Sequence, residues 1–177
     1  MLFRLVLVLA LALGSARALA ADLPITAFAG KWQGSAVSES NISVNFALTS
    51  RDIGVELRPA ADGFTITWNT VQRQKGDPTN PTEVLRSTTM RFVDQRPGVW
   101  RFADNADPLA AEQPFAWAHV SGKTLTISVL QIYQDGRHEL QIYHRTLSDL
   151  GMSLEFTRVV EGQPVRRAGG RLVKIAK

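Results

Sequence analysis

From Ile42 onward, apolar and polar residues alternate at every second position, and the alternation breaks at short glycine-containing pairs. That pattern limits the possible folds more than any other feature of the chain. Ile42, Val44, Phe46 and Leu48 alternate with Ser43, Asn45, Ala47 and Thr49. Phe64, Ile66 and Trp68 alternate with Thr65, Thr67 and Asn69, and Met152, Leu154 and Phe156 with Ser153, Glu155 and Thr157. Period two is the signature of a half-buried strand, and helical periodicity is scarce after residue 22. After Arg51-Asp52 the phase slips, with Ile53, Val55 and Leu57 on the opposite parity, which predicts a bulge or short turn.

The breaks carry hairpin chemistry. Asp62-Gly63, Ser121-Gly122, Asp135-Gly136, Asp149-Leu150-Gly151 and Glu161-Gly162 each put glycine where a tight turn needs positive φ. Strands joined this way form a meander, and one apolar face per strand favours closure without exposed edges. The expectation is an all-β, antiparallel, up-and-down barrel of about eight to ten strands, the last running from Arg171 to Ala176. Two polar connections, Gln74 to Glu83 and Ala103 to Gln113, are long enough to act as rim loops.

The chain opens with Arg4, an apolar run from Leu5 to Leu13, Gly14-Ser15 and then Ala18-Leu19-Ala20. This order is that of a secretory signal peptide cleaved after Ala20, and the run is too short to span a bilayer. Residues 21–177 then form a single barrel domain, periplasmic or secreted. The absence of cysteine means that packing and backbone pairing hold it. Removing Arg4 and Arg17 from 20 Lys+Arg leaves 18 against 16 Asp+Glu, and a balance of +2 argues against capture of nucleic acid. Arg158, Arg166, Arg167, Arg171, Lys174 and Lys177 cluster near the end, as solvated strand faces or as a weak contact for anionic lipid or an acidic partner. Arg91, Glu139, Gln141, Arg145 and Glu155 are expected on the outer faces, which excludes a membrane-spanning barrel.

Gly30-Lys31-Trp32, ahead of a meander of antiparallel strands, resembles the start of the calycin superfamily, the lipocalins and fatty-acid-binding proteins. The resemblance implies that Trp32 lies across the closed end of the barrel against an arginine of the last strand, Arg171 or else Arg167. Glycines at 30 and 34 let the first strand bend, and a cation can stack on the indole.

Parity sorts the interior candidates. If Leu140 and Ile142 point inward, so do His138 and His144; if Leu154 and Phe156 do, so does Arg158. Arg86 accompanies Met90 and Phe92, Gln72 accompanies Trp68, and His119 follows Phe115 and Trp117. The cavity candidates are therefore Trp68, Gln72, Arg86, Trp117, His119, His144 and Arg158. An internal arginine needs a partner, either a carboxylate of the protein at the mouth or that of a ligand. The resemblance to fatty-acid-binding barrels implies the second.

Metal binding is not expected: His138 and His144, six residues apart on one strand, are separated by about 20 Å. No nucleophile elbow, zinc-protease motif or phosphate loop is present, so neither an enzyme nor a cofactor is expected. The reading is a soluble exported barrel that binds a small hydrophobic or amphipathic, acidic molecule without catalysis. The alternative is a protein-interaction module, such as a protease-inhibitor-like barrel, acting through its rim loops or the segment ADLPITAF at its start.

Overall fold

The computed structural model describes residues 21–41, 48–73, 83–109 and 113–176. The expected leader, residues 1–20, and the alternating stretch Ile42 to Phe46 lie outside them. Ten strands follow a short 3-10 turn, Ile25–Phe28: β1 (Gly30–Ser40), β2 (Leu48–Ala60), β3 (Gly63–Arg73), β4 (Glu83–Arg96) and β5 (Val99–Phe102), then β6 (Phe115–Ser121), β7 (Thr124–Ile132), β8 (His138–Ser148), β9 (Gly151–Val160) and β10 (Gln163–Ala176). Each pairs antiparallel with its neighbours in the chain, and β1 pairs with β10, so the sheet is a closed up-and-down barrel.

Two local expectations are corrected. β2 pairs with β1 and β3 without a register shift through Asp52, so the phase slip is no bulge. Leu48 faces solvent at 63% exposure, and the inward side of β2 begins with Arg51, ahead of Ile53, Val55 and Leu57. β10 is also longer than expected, because Pro164, Gly169 and Gly170 lie in a strand paired on both sides, to β9 and to β1.

Up-and-down topology sorts the connections by end. Two-residue turns join β2 to β3, β4 to β5, β6 to β7 and β8 to β9 at one end, the floor. The connections after β1, β3 and β5, the longest, open at the other end, the mouth. The floor is packed solid. Phe64 stacks on Phe92 with centroids 5.0 Å apart and meets Trp100 edge-on at 5.4 Å. Phe28, Leu57, Leu125, Met152 and Leu172 complete it, each at most 2% exposed. Ala116 and Ala118 are fully buried on the same side, Ala118 directly across from Trp100.

The chain before β1 closes the floor from below. Leu23 N–H donates to the Gly122 carbonyl and the Gly122 N–H donates to Asp22 Oδ1, while Phe28 is fully buried. The segment that the protein-interaction alternative needs exposed is thus partly taken up by the barrel itself.

Candidate functional site: an arginine-lined well

Trp32 is the plug of this floor. It is 6% exposed, its indole N–H donates to the Phe28 carbonyl at 3.0 Å, and Lys174 Nζ sits 5.2 Å from the ring centroid. Gly30 adopts φ +113°, which a side chain rarely does, and a Cβ on Gly34 would run into the Arg171 carbonyl. The cation is not the expected one. Leu172 points inward, so Arg171 and Arg167 face solvent opposite Ser35 and Glu39, and Lys174 takes the inward position across from Trp32.

Above the floor lies a cavity of about 410 Å³ that opens at the mouth. Five arginines line it, Arg51, Arg86, Arg145, Arg158 and Arg166, against a single carboxylate, Glu139. Its apolar belt is aromatic. Trp68 and Tyr143 lie 5.0 Å apart, and Tyr143 and Phe156 lie 4.8 Å apart.

β8 supplies one wall with a polar face, Glu139, Gln141, Tyr143 and Arg145, running from mouth to floor. Glu139, at the mouth end, accepts hydrogen bonds from Arg158 at 2.5 Å, Gln141 at 2.7 Å and Tyr133 at 3.0 Å. Burial works to raise the Glu139 carboxyl, but these donors outweigh it and hold it below the usual carboxylate range. Farther in, Tyr143 donates to Gln141 at 2.6 Å, and burial pushes its phenol up to about 12.

Arg145 ends the series. It is 1% exposed, and none of its three guanidinium nitrogens has a hydrogen-bond partner among the described residues. It lies over the faces of Trp68, at 5.3 Å, and Tyr143, at 5.4 Å. Burial pushes its guanidinium down to about 10, so it remains charged at neutral pH. A buried unpartnered cation is costly, and the structure holds one at the bottom of a well.

Of the expected cavity residues, Trp68, Arg86 and Arg158 line this well. Gln72 lies in β3 opposite Arg51, and its side chain is outside the described residues. Trp117, His119 and His144 are corrected: all three face outward. The two-residue turn after Ser121 pairs Val120 with Leu125 and Ala118 with Ile127, which turns Phe115, Trp117 and His119 to the outer face. The two-residue turn after Ser148 pairs Arg145 with Leu154 and Tyr143 with Phe156, so His144 projects outward and meets Thr126 Oγ1 at 3.0 Å. For the same reason His138 is exposed beside Glu161, while Glu139, Gln141 and Arg145, expected outside, face in. Arg91 and Glu155 do face solvent.

Arg51, Arg145 and Arg166 line the well without being expected there: hydrophobicity alone gives β8 the wrong parity at Arg145, Arg51 sits at the expected phase slip, and Arg166 lies ahead of the strand expected from Arg171. The turn lengths carried the correcting signal: with two residues between Ser148 and Gly151, odd positions of β8 must oppose even positions of β9. Among the described residues no three His, Cys, Asp or Glu side chains come together as metal ligands.

No protein-family model matches the chain, and neither does any curated protein. Among solved structures, the S-type phycobiliprotein lyase CPES from Guillardia theta superposes with a TM-score of 0.55 at 9% identity, over 86% of this chain and 91% of that one. A 12:0-ACP thioesterase from Umbellularia californica, 10% identical over 86% of this chain and 78% of its own, has a TM-score of 0.18, too low to indicate a shared architecture. The likeness to the lyase is one of fold, and it agrees with the strand order: the chain is a calycin-like closed barrel of ten antiparallel strands.

Proposed function

We propose that this protein is an exported, non-catalytic carrier that binds a small acidic, amphipathic molecule inside its barrel. One observation carries the reading: Arg145, almost fully buried at the base of a 410 Å³ well, has no partner for any of its nitrogens among the described residues. A carboxylate or comparable anion is the complement of such a group, and the rings of Trp68, Tyr143 and Phe156 suit an apolar or unsaturated body. The volume falls in the range of small-molecule sites, about 300–1,000 Å³. Export, to a periplasm or beyond, rests on the order of charged, apolar and small residues in the first twenty.

The test is native mass spectrometry on mature protein purified from its own host, compared with the denatured mass. An extra mass released on denaturation, and displaced by added fatty acid, is the expected result. A bare protein mass, with no quenching of tryptophan fluorescence by a panel of fatty acids and aromatic acids, would reject the carrier reading.

A further inference from the structure

We propose that the ligand of this well carries two acidic groups at opposite ends, one received by Arg145 at the floor and the other by Arg51, Arg86 and Arg166 at the mouth. The inference rests on the reading that the cavity takes a small acid, and it follows from where the charges sit. Of the five arginines in the lining, Arg158 is matched by Glu139, the only carboxylate there. Four guanidiniums are left without a carboxylate among the described residues, and they fall into two groups.

Arg145 lies on the floor side of the aromatic belt. On the mouth side, Arg166 follows Ala168 toward the β10 start, Arg51 precedes Ile53 on β2, and Arg86 precedes Thr88 on β4. Register separates the two groups. Arg145 is level, through Leu154, with Gly170, and Arg166 lies four residues nearer the mouth on β10, roughly 13 Å at the usual strand rise. Between them the lining is mixed, with Ile53, Leu154 and the three rings beside the hydroxyls of Thr70 and Thr88 and the amide of Gln141.

The mouth group also repels itself. Burial first, and then the charges of Arg166 and Arg86, hold the Arg51 guanidinium below its ordinary value. Like Arg145, Arg51 and Arg166 each keep a buried Nε without a hydrogen-bond partner. A molecule with an anion at each end and an apolar span between relieves both clusters at once.

Straight-chain α,ω-dicarboxylic acids from octanedioic to hexadecanedioic acid, each paired with the monocarboxylic acid of equal length, provide the probes. Binding is read by isothermal titration calorimetry and by quenching of the tryptophan emission. At one chain length the diacid should bind at least about tenfold more tightly than its monoacid. Arg145→Met, which removes the single floor cation, should bring the pair to equal affinity, and Arg166→Gln, which removes one of three mouth cations, should narrow the difference. Arg166 is half-exposed, so its variant tests the inference even if Arg145→Met fails to fold. Monoacids that bind as tightly as diacids at every length would overturn the two-anion inference and leave the carrier reading standing. A diacid preference that neither substitution reduces would overturn it as well. No binding of either series would remove the carrier reading itself.

Discussion

Arg145 is a residue the barrel would fold more easily without. Its charge is 1% exposed with no hydrogen-bond partner, and two aromatic faces return only part of the lost hydration. Arg145→Met should therefore stabilise the ligand-free protein, by about 1–4 kcal/mol in urea unfolding, while weakening acid binding and removing the preference for diacids. A destabilised variant would show that the guanidinium is held by packing rather than kept for a ligand. Glu139 is the opposite case, a buried carboxylate with three donors that lower its pKa. A depressed folded-state value contributes stability that is complete above the unfolded carboxylate range, about pH 4.3, and is lost as pH falls through the lower folded value. The unfolding midpoint should thus fall on acidification below about pH 4.3, and Glu139→Gln should flatten that limb of the profile. At the floor, Lys174→Met keeps the stem but removes the charge over Trp32, which should cost about 0.5–1 kcal/mol and shift the Trp32 emission.

At the scale of the element, the strands separate into those whose inner face obeys hydrophobicity and those whose inner face does not. β2, β3 and β9 were legible because Ile53, Val55, Phe64, Ile66 and Leu154 fill the barrel with apolar bulk. β6 and β8 were not. On β6 the inner positions are Ala116, Ala118 and Val120, with Ala118 directly across from the buried Trp100, and the larger Trp117 is left outside. On β8 the inner face is polar because it lines the well, so Leu140 and Ile142 turn outward and the apolar rule inverts. The two failures differ in kind: β6 keeps its larger side chains outside, and β8 turns a site inward. Turn length resolves both, since a two-residue hairpin fixes which parity shares a face. The β1–β10 seam offers the sharpest test at this scale. A methyl group on Gly34 meets the Arg171 backbone, so Gly34→Ala should lose about 1–3 kcal/mol, with an enlarged loss for Gly34→Val. An unchanged urea midpoint would mean that the seam opens at no cost.

The whole molecule is a vessel with a solid base and an open, basic upper half, and its two halves answer to different measurements. Phe28, fully buried beneath Trp32, belongs to the base. Phe28→Ala should cost about 3–5 kcal/mol in urea unfolding and leave the affinity for acids within a few-fold, because the well lies at the other end. Coupled loss of both would show that the floor shapes the binding site. The closing seam also sets a timetable. Lys31 pairs with Ala176, so the first strand waits for the last before any of the well's charges are enclosed. Until β10 arrives, β1 and β9 are both free edges, and the contacts that complete the ring are the most distant in the chain. Contacts of such sequence separation are slow to form, so the barrel is an open ribbon until β10 pairs with β1 and a container only from then on.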